Sequence, residues 1–540
     1  MKPISGINKD PVAIFFICSK VIVAAIFTSY VVYRLCTLAL ISDEWGSIMS
    51  DLSNGKGVVD LLVFSHVEAQ LHFLQALLSL GFTKLFSEGH FVLAARLPSL
   101  IGWILYLFSC WKITDQLKSK VLEIVGFIAL CSHAYVLDYF SVARGYGLSM
   151  GLAAISIYFF IKSISKTRTS PALNNRDPNT CTPNAWAPNA WAILSIWTAS
   201  FAVLTNLALM NFYAGMAVLC AYTSIDFTSF KKAGFIKTAR SLFITNGYLF
   251  ANAALLFTFY LPRVLLMIRA NQLYFGGTTG FAQDTVASLI TASFYQRDFP
   301  GSWPIIFAYL LVAASLAMSI SLLLKIKKGA NTPLSIGVYC SAIINTMAIF
   351  NISGFYFANV KFLIERTALG FVLLFILQVI FFVSESTRVF KTLGYTMLIF
   401  CMALGIHGLN LHRTSHYCAY SQTPELLNDL IEIHKKTGQM VILGVTDSTK
   451  YTLGWYAEKQ AGLQEHPQTK KQMSAPIKQF EWLVIYSVDY GVPPNGKLHY
   501  HPKTTHIALQ HYIKASQIQG ELTPLKEYPY ARTHLYEVKK

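Results

Sequence analysis

Charge is what this chain has least of. Asp, Glu, Lys and Arg make up 13% of its 540 residues, against 54% hydrophobic residues and a mean hydropathy of +0.45, which excludes an ordinary soluble globular chain. Paired cysteines are missing too. Of nine, Cys18, Cys36, Cys110, Cys131, Cys220, Cys340 and Cys401 fall in apolar stretches, Cys181 in a polar loop, and Cys418 alone after residue 410. No disulfide can therefore form within that last region, and no CxxC metal or redox spacing occurs. A cleavable signal peptide is not expected, because the first apolar run is too long, lacks an Ala-x-Ala-like end and is followed by many more. No long internal repeat appears, and the single Asn-x-Ser/Thr sequon, at Asn351, lies at the end of an apolar stretch.

What the chain has is hydrophobic length. Stretches near 12–36, 90–111, 122–138, 144–162, 189–206, 207–226, 241–261, 303–325, 333–353, 367–384 and 393–410 each suit a membrane crossing, which takes about 20 apolar residues. The formal charge of +17 is distributed to match. Nineteen Lys and Arg fall in six short clusters: around Lys2 to Lys20, Lys112 to Lys120, Lys162 to Arg176, Lys231 to Arg240, Lys325 to Lys328, and Arg388 with Lys391. Eleven crossings put every cluster on one side, the positive-inside pattern, so the basicity is topogenic and no nucleic-acid partner is expected. A twelfth apolar stretch, 68–86, would reverse every later cluster if it crossed; it is read as an amphipathic helix in the outer interface. The expected fold is an α-helical multi-pass membrane protein of about 11 spans plus an interfacial helix, with residues 1–410 forming the membrane domain and 37–89 its outer first loop. Residues 411–540 read as a small exterior α/β domain. There "TPELLNDLIEIHKKTG" has Thr423 as N-cap, Pro424 at the first helical position and Gly438 as stop, and "QMVILGVT" and "FEWLVIYSV" read as strands. His499, His501, His506 and His511 match no zinc spacing. The polar loop 163–188, with its tandem "PNAWAPNAWA", reads as a connector.

The outer loop opens with "LISDEWGSIM", which puts Asp43 and Glu44 side by side at the end of the first crossing. Trp45, Ile48, Met49 and Leu52 recur at helical spacing, with Ser42 as N-cap, so one reading is a short helix whose first-turn acids complement its dipole. The other reading is chemical, and the rest of the loop favours it. "SHVEAQLHFL" leads into the interfacial helix, in which His72 reads as a helix-face residue; "AARLPSLIGWIL" opens the next span, and "LDYFSVARGYGLSMGLAAISIYFF" follows.

In that order, the segments resemble the GT-C glycosyltransferases, and within them the bacterial branch related to protein O-mannosyltransferases and lipid A aminoarabinose transferases. Members of that branch often read H-P-P-L-Y, A-L-R-L-P-S and Y-S-R-E-A-R-x-Y at these places. The resemblance is good over 40–162 and weaker beyond, through "LMNFYAGMA" and "FLIERTALGFVLL"; no motif covers 411–540. Val67-Glu68 replaces the family Pro-Pro, and Thr367 stands where a Tyr follows the late Arg. The resemblance implies transfer of a sugar from a polyprenyl-phosphate donor to a hydroxyl of a glycan, lipid or protein acceptor, at the outer face of the membrane. It implies Asp43 as general base, with Glu44 orienting the acceptor or a metal ion, or facing solvent. For the donor phosphate it points to Arg144 and Arg366, which match motif positions at span mouths where an arginine could also snorkel to lipid headgroups, and to His66, which matches the family His. Lys361 is a further basic group on the outer side, and Glu68 and Tyr146 are candidates for the substrate cavity, Tyr146 either stacking on the sugar or packing against a neighbouring helix. Whether a divalent metal ion takes part is left open. A bacterial inner membrane is the expected location. Two other classes stand beside this one: a transporter or flippase of lipid-linked sugars, which would more often show internal repeats and charges within spans, and a non-catalytic polysaccharide-assembly protein.

Overall fold

The computed structural model describes residues 11–41, 43–44, 72–86, 90–169, 190–223, 246–270, 275–295, 300–324, 335–445, 449, 452–456, 483–487, 504–510, 521–529 and 531–539. His66, Glu68, all but the first two residues of the helix expected after Ser42, most of the connector loop, and His499, His501 and His511 lie outside them.

Apolar length becomes helix because each backbone polar group in lipid must be satisfied within its own segment. The first such helices are α1 (Pro11–Thr37), α2 (Phe73–Leu85), α3 (Phe91–Thr114), α4 (Lys120–Cys131), α5 (Ala134–Phe140), α6 (Gly145–Thr169), α7 (Ala190–Thr205) and α8 (Met210–Thr223). There follow α9 (Gly247–Arg269), a π turn Phe281–Val286 running into α10 (Ala287–Ser293), α11 (Trp303–Leu324), α12 (Ile336–Ala358), α13 (Leu369–Glu385) and α14 (Arg388–His407). Eight of these segments are long and apolar enough to cross a membrane, and α4 with α5 makes a ninth, bent by 59° at Ser132-His133. The protein is a multi-pass helical membrane protein. A helix occupies each of the eleven expected crossings, although α7 and α8 are short, and the stretch expected at the interface is the 13-residue α2.

Helices α6 and α13 are the most enclosed, while α1, α11 and α14 expose Phe15, Ile26, Leu310, Leu323 and Ile399 where lipid would be. The tightest packing is α3 on α6. A Cβ added at Gly102 would lie 2.6 Å from the Leu148 backbone, and one at Gly151 would run into the Gly102 carbonyl oxygen. Gly147 leaves room for the Tyr139 carbonyl of α5, while Gly102 on α3 and Gly151 on α6 let the two backbones approach, as small residues do in a membrane. This contact carries the start of α6 to the start of α3. Polar residues within the bundle answer one another. The Gln378 amide donates to the Ser315 carbonyl at 3.0 Å, to the Ser319 hydroxyl at 2.9 Å and to the Ser341 hydroxyl at 3.1 Å.

Two buried ion clusters brace α1. Near its start, the Lys20 ammonium donates to Asp115 (2.8 Å), Glu123 (3.0 Å) and Thr114 (3.1 Å). Near its end, Arg34 pairs with Asp138 at 2.7 Å and donates to the Arg413 carbonyl at 2.8 Å. Arg413 belongs to a strap, 408–422, which leaves α14 and runs back over the site end of the bundle.

Beyond the strap lies the mixed sheet. Helix α15 (Thr423–Thr437) ends at Gly438, whose φ of 65° is the left-handed stop expected of it; Gln422, however, holds the N-cap position, and Thr423 is the first helical residue. Strands β1 (Val441–Val445), β2 (Leu483–Ser487), β3 (His506–Gln510), β4 (Glu521–Tyr528) and β5 (Thr533–Lys539) follow in the order β2-β1-β3-β5-β4. The first three are parallel, and β5 is antiparallel to both of its neighbours. Leu426, Leu427 and Leu430 of α15 pack on Val441, Leu443 and Leu535.

Candidate functional site

Asp43 and Glu44 begin a helical turn six residues after α1 ends, and the turn sends their side chains to different partners. Glu44 goes inward. Arg96, from the first turns of α3, donates to Glu44 through Nε and Nη2, both at 2.8 Å, and the main-chain N–H groups of Ile41 and Ala143 donate to the same carboxylate. The remaining Arg96 hydrogen bonds go to the carbonyls of Leu35 and Leu38 through Nη1 and of Ala39 through Nη2. Both side chains are at most 1% exposed. The pair ties the end of α1 to α3 and to the turn before α6, and every part of the Glu44 carboxylate is engaged in it.

Asp43 goes the other way and keeps 18% of its side chain exposed. Arg144, the last residue before α6, approaches with Nη2 3.2 Å from Oδ2 and with Nη1 donating to the Asp43 main-chain carbonyl at 3.2 Å. The Tyr417 hydroxyl, from the strap, donates to Oδ2 at 2.9 Å. Burial alone would push the Asp43 carboxyl up; the guanidiniums of Arg144 and Arg366, with the Tyr417 hydrogen bond, overcome it and hold the group below the usual carboxylate range.

Arg366 sits on the 3-10 turn Glu365–Ala368 that opens α13. Its guanidinium lies over Phe275, 4.6 Å from the ring centroid, and 5.8 Å from that of Tyr417, and Nη1 meets His416 Nε2. His416 Nδ1 is 3.0 Å from Glu365. Arg366 and Arg144 thus flank Asp43 and Tyr417 from the start of two different helices. Both helix N-termini already carry positive partial charge, so two guanidiniums there concentrate positive potential in one place, an arrangement suited to an anion. Lys361 lies on the neighbouring loop, where Gly277 and Phe362 form an antiparallel bridge that holds Phe275 near Arg366.

Tyr146 is 5% exposed, packed edge-on against His72 at 4.7 Å and Tyr139 at 5.1 Å, so its ring is committed to neighbouring side chains. His72 does not sit on the helix face expected for it. It is the N-cap residue of α2 and is buried, with Nδ1 2.8 Å from the Thr205 carbonyl; that carbonyl can only accept, so Nδ1 carries the hydrogen. Burial first, and the nearby Arg144 next, lower its pKa and keep the ring neutral. Tyr417, His416 and His72 are the neighbours that sequence reading did not place here. The first two lie in a strap with no motif; a His at the mouth of an apolar helix was the available signal for the third. Arg263 stays apart, over Phe259 and Phe73. Among the described residues no three His, Cys, Asp or Glu come together as a metal site.

A cavity of about 440 Å³ lies among α10 to α14, lined by apolar residues including Phe281, Leu289, Val312, Ile349 and Phe375. Its wall meets the Arg366 turn where the Glu365 N–H donates to Ser288 at 2.8 Å.

No family model and no curated protein matches the chain. Among solved structures, 97% of the chain aligns with 98% of ArnT from Cupriavidus metallidurans in the apo state, at 11% identity and a TM-score of 0.37. It aligns likewise, 97% with 97%, with ArnT from Cupriavidus metallidurans bound to undecaprenyl phosphate, at 12% identity and a TM-score of 0.35. Identity that low leaves the chemistry to the chain's own residues.

Proposed function

We propose that this protein is a membrane glycosyltransferase that moves a sugar from a polyprenyl-phosphate donor to an acceptor hydroxyl at the membrane's outer face. The observation that carries the reading is the partly open Asp43 carboxylate flanked by Arg144 and Arg366 at two helix N-termini. A lipid-anchored phosphate held by the two guanidiniums would put the anomeric carbon beside a carboxylate, at the depth where the apolar helices end. The acceptor oxygen forms its bond to that carbon as the carbon–oxygen bond to phosphate breaks; the electron pair leaves with the phosphate, and the acceptor proton passes to Asp43. Charge builds on the leaving phosphate and is met by guanidiniums already in place. The apolar cavity gives room for hydrocarbon next to the Arg366 turn. Glu44, engaged on all sides, serves as architecture, and Lys361 is a peripheral cation. We keep His66 as a further contact for the donor phosphate and Glu68 as a substrate-cavity residue, on the resemblance and the sequence alone. The site and the sheet domain face the exterior of what we take to be a bacterial inner membrane.

Purified protein in detergent, given polyprenyl-phosphate sugars and a panel of hydroxyl acceptors, should release polyprenyl phosphate and lose that release in Asp43→Asn. A protein that moves intact sugar lipid between leaflets of a vesicle without cleaving it would be the transporter instead.

A further inference from the structure

The chain after residue 410 brings Tyr417 and His416 to the site, and among the described residues it grips the Asp43 loop at two places. The first is the Tyr417 hydroxyl on Asp43 Oδ2 at 2.9 Å. The second lies in the sheet domain, where Tyr456 of the short helix 452–456 accepts a hydrogen bond from the Leu40 N–H at 2.8 Å, three residues before Asp43. Trp455 and Tyr456 pack on Leu40 at the same point. We propose that Tyr417 is a positioning residue for Asp43, and that the C-terminal domain governs sugar transfer by holding the strap and the catalytic loop in register. The proposal rests on the reading of Asp43 as general base.

Tyr417 is itself held firmly. It is 5% exposed, its N–H donates to Thr414 at 3.1 Å, and its ring meets His416 edge-on at 4.7 Å. Upstream, the strap is pinned to the bundle by the Ser415 N–H donating to Asp138 at 2.7 Å and the Ser415 hydroxyl donating to the Ala292 carbonyl at 2.9 Å. Downstream it passes through the turn Cys418–Tyr420 into α15, which is buried against the sheet. A further tie is Arg532, just before β5, which donates to the Tyr295 carbonyl at 3.4 Å; the Tyr295 hydroxyl in turn donates to Asp138. Movement of the sheet domain is therefore coupled to Tyr417, and through it to the carboxylate.

The hydroxyl does two things for Asp43. It fixes the carboxylate's rotation, so that the acceptor meets a base in one orientation, and by donating to the ionised form it lowers the carboxyl's pKa, the effect that a titration reads. Among the described residues, the charged and titratable groups that face Asp43 are Arg144 before α6, Arg366 before α13, His72 at the start of α2, and Tyr417 with His416 on the strap. Of these, only the hydroxyl can be deleted without removing a ring or a charge.

Tyr417→Phe in the full-length protein is the test. Infrared titration of the carboxyl band that Asp43→Asn removes should show its midpoint moved to higher pH by roughly one to two units, as loss of a hydrogen bond to a charged group implies. If the protein transfers sugar, kcat should fall about tenfold or more with the donor KM within about twofold. Two glycines inserted between Ser421 and Gln422, which slacken the domain's hold without touching Tyr417, should move the midpoint the same way. An unchanged midpoint in Tyr417→Phe overturns the positioning role; an unchanged midpoint in the insertion variant alone overturns the role of the domain. Because the titration needs no turnover, a wild type that transfers no sugar would refute the glycosyltransferase reading while this result is still read on its own.

Discussion

Asp43 and Glu44 are adjacent in the chain, and each has a guanidinium, but the two pairs are built to different ends. Around Glu44 the donors fit the carboxylate completely, Arg96 spends its other hydrogen bonds on three carbonyls at the end of α1, and the pair is closed to solvent. Around Asp43, among the described residues, a guanidinium nitrogen and a hydroxyl converge on Oδ2, and 18% of the side chain remains exposed. A closed pair can only hold structure, because any new partner must first break an old one. An open pair can exchange partners with a ligand at little cost. The same contrast separates Arg34–Asp138, sealed by Tyr295 and Ser415, from Arg366, whose neighbours are rings and a histidine.

The sharpest way to break this contrast is to neutralise each acid. Asp43→Asn should leave the thermal midpoint in detergent near that of the wild type and cut turnover by the ~10²–10⁴-fold typical of losing a general base. Glu44→Gln should do the reverse. It leaves the Arg96 charge buried beside an amide, a loss of about 3–5 kcal/mol for a broken buried pair, so the thermal midpoint should drop strongly and activity should follow the folded fraction. If both variants melt alike and fail alike, the distinction between the pairs is wrong.

A smaller effect separates phosphate binding from lipid contact at Arg366. A guanidinium that forks onto phosphate oxygens cannot be replaced by an ammonium, whereas one that only reaches toward headgroups can. Arg366→Lys and Arg366→Ala should both raise the donor KM by roughly 10–100-fold, the equivalent of one charge-assisted hydrogen bond. Wild-type kinetics in the Lys variant would make Arg366 an interfacial anchor instead.

The parts of the fold legible in the sequence are those that depend on periodicity and composition. The eleven apolar stretches, the α15 stop at Gly438 and two strands were all read from residues whose local physics suffices. Of the candidate site, the sequence pointed to residues at the mouths of spans, and Asp43, Arg144 and Arg366 do come together although more than 300 residues separate the first from the last. What could not be read depends on where distant segments return. In the sequence Glu44 could orient an acceptor or a metal ion or face solvent, and only the arrival of Arg96 and the Ala143 N–H shows its carboxylate occupied from within. His72 looked like one residue on a helix face until α7 brought the Thr205 carbonyl to it. Tyr417 lies in a strap without periodicity or motif, and its place is set by Arg34 and Asp138, both on other helices.

The smallest expected effect is a difference between two pH profiles, and it bears on how a base weakened by its neighbours can still act. In the free protein, Arg144 and Arg366 outweigh burial and hold the Asp43 carboxyl below the ordinary aspartate value of about 3.9. A carboxylate so stabilised is ionised throughout the neutral range but is a poor proton acceptor. When a donor phosphate binds, its negative charge takes up part of the guanidiniums' field, and the leaving phosphate takes up more as its bond breaks. The support for ionised Asp43 falls in the same step, its pKa rises, and it becomes a stronger base when the acceptor proton must move. The acid limb of kcat/KM, which reports the free protein, should therefore lie below that of kcat, which reports the donor complex, by about one pH unit. In Arg366→Ala one of the two cations is gone before binding, so the kcat/KM limb should itself move up and the gap should narrow. Coincident limbs in the wild type would mean that the phosphate does not bind against these guanidiniums, and the open pair would then be no more than a second, looser brace.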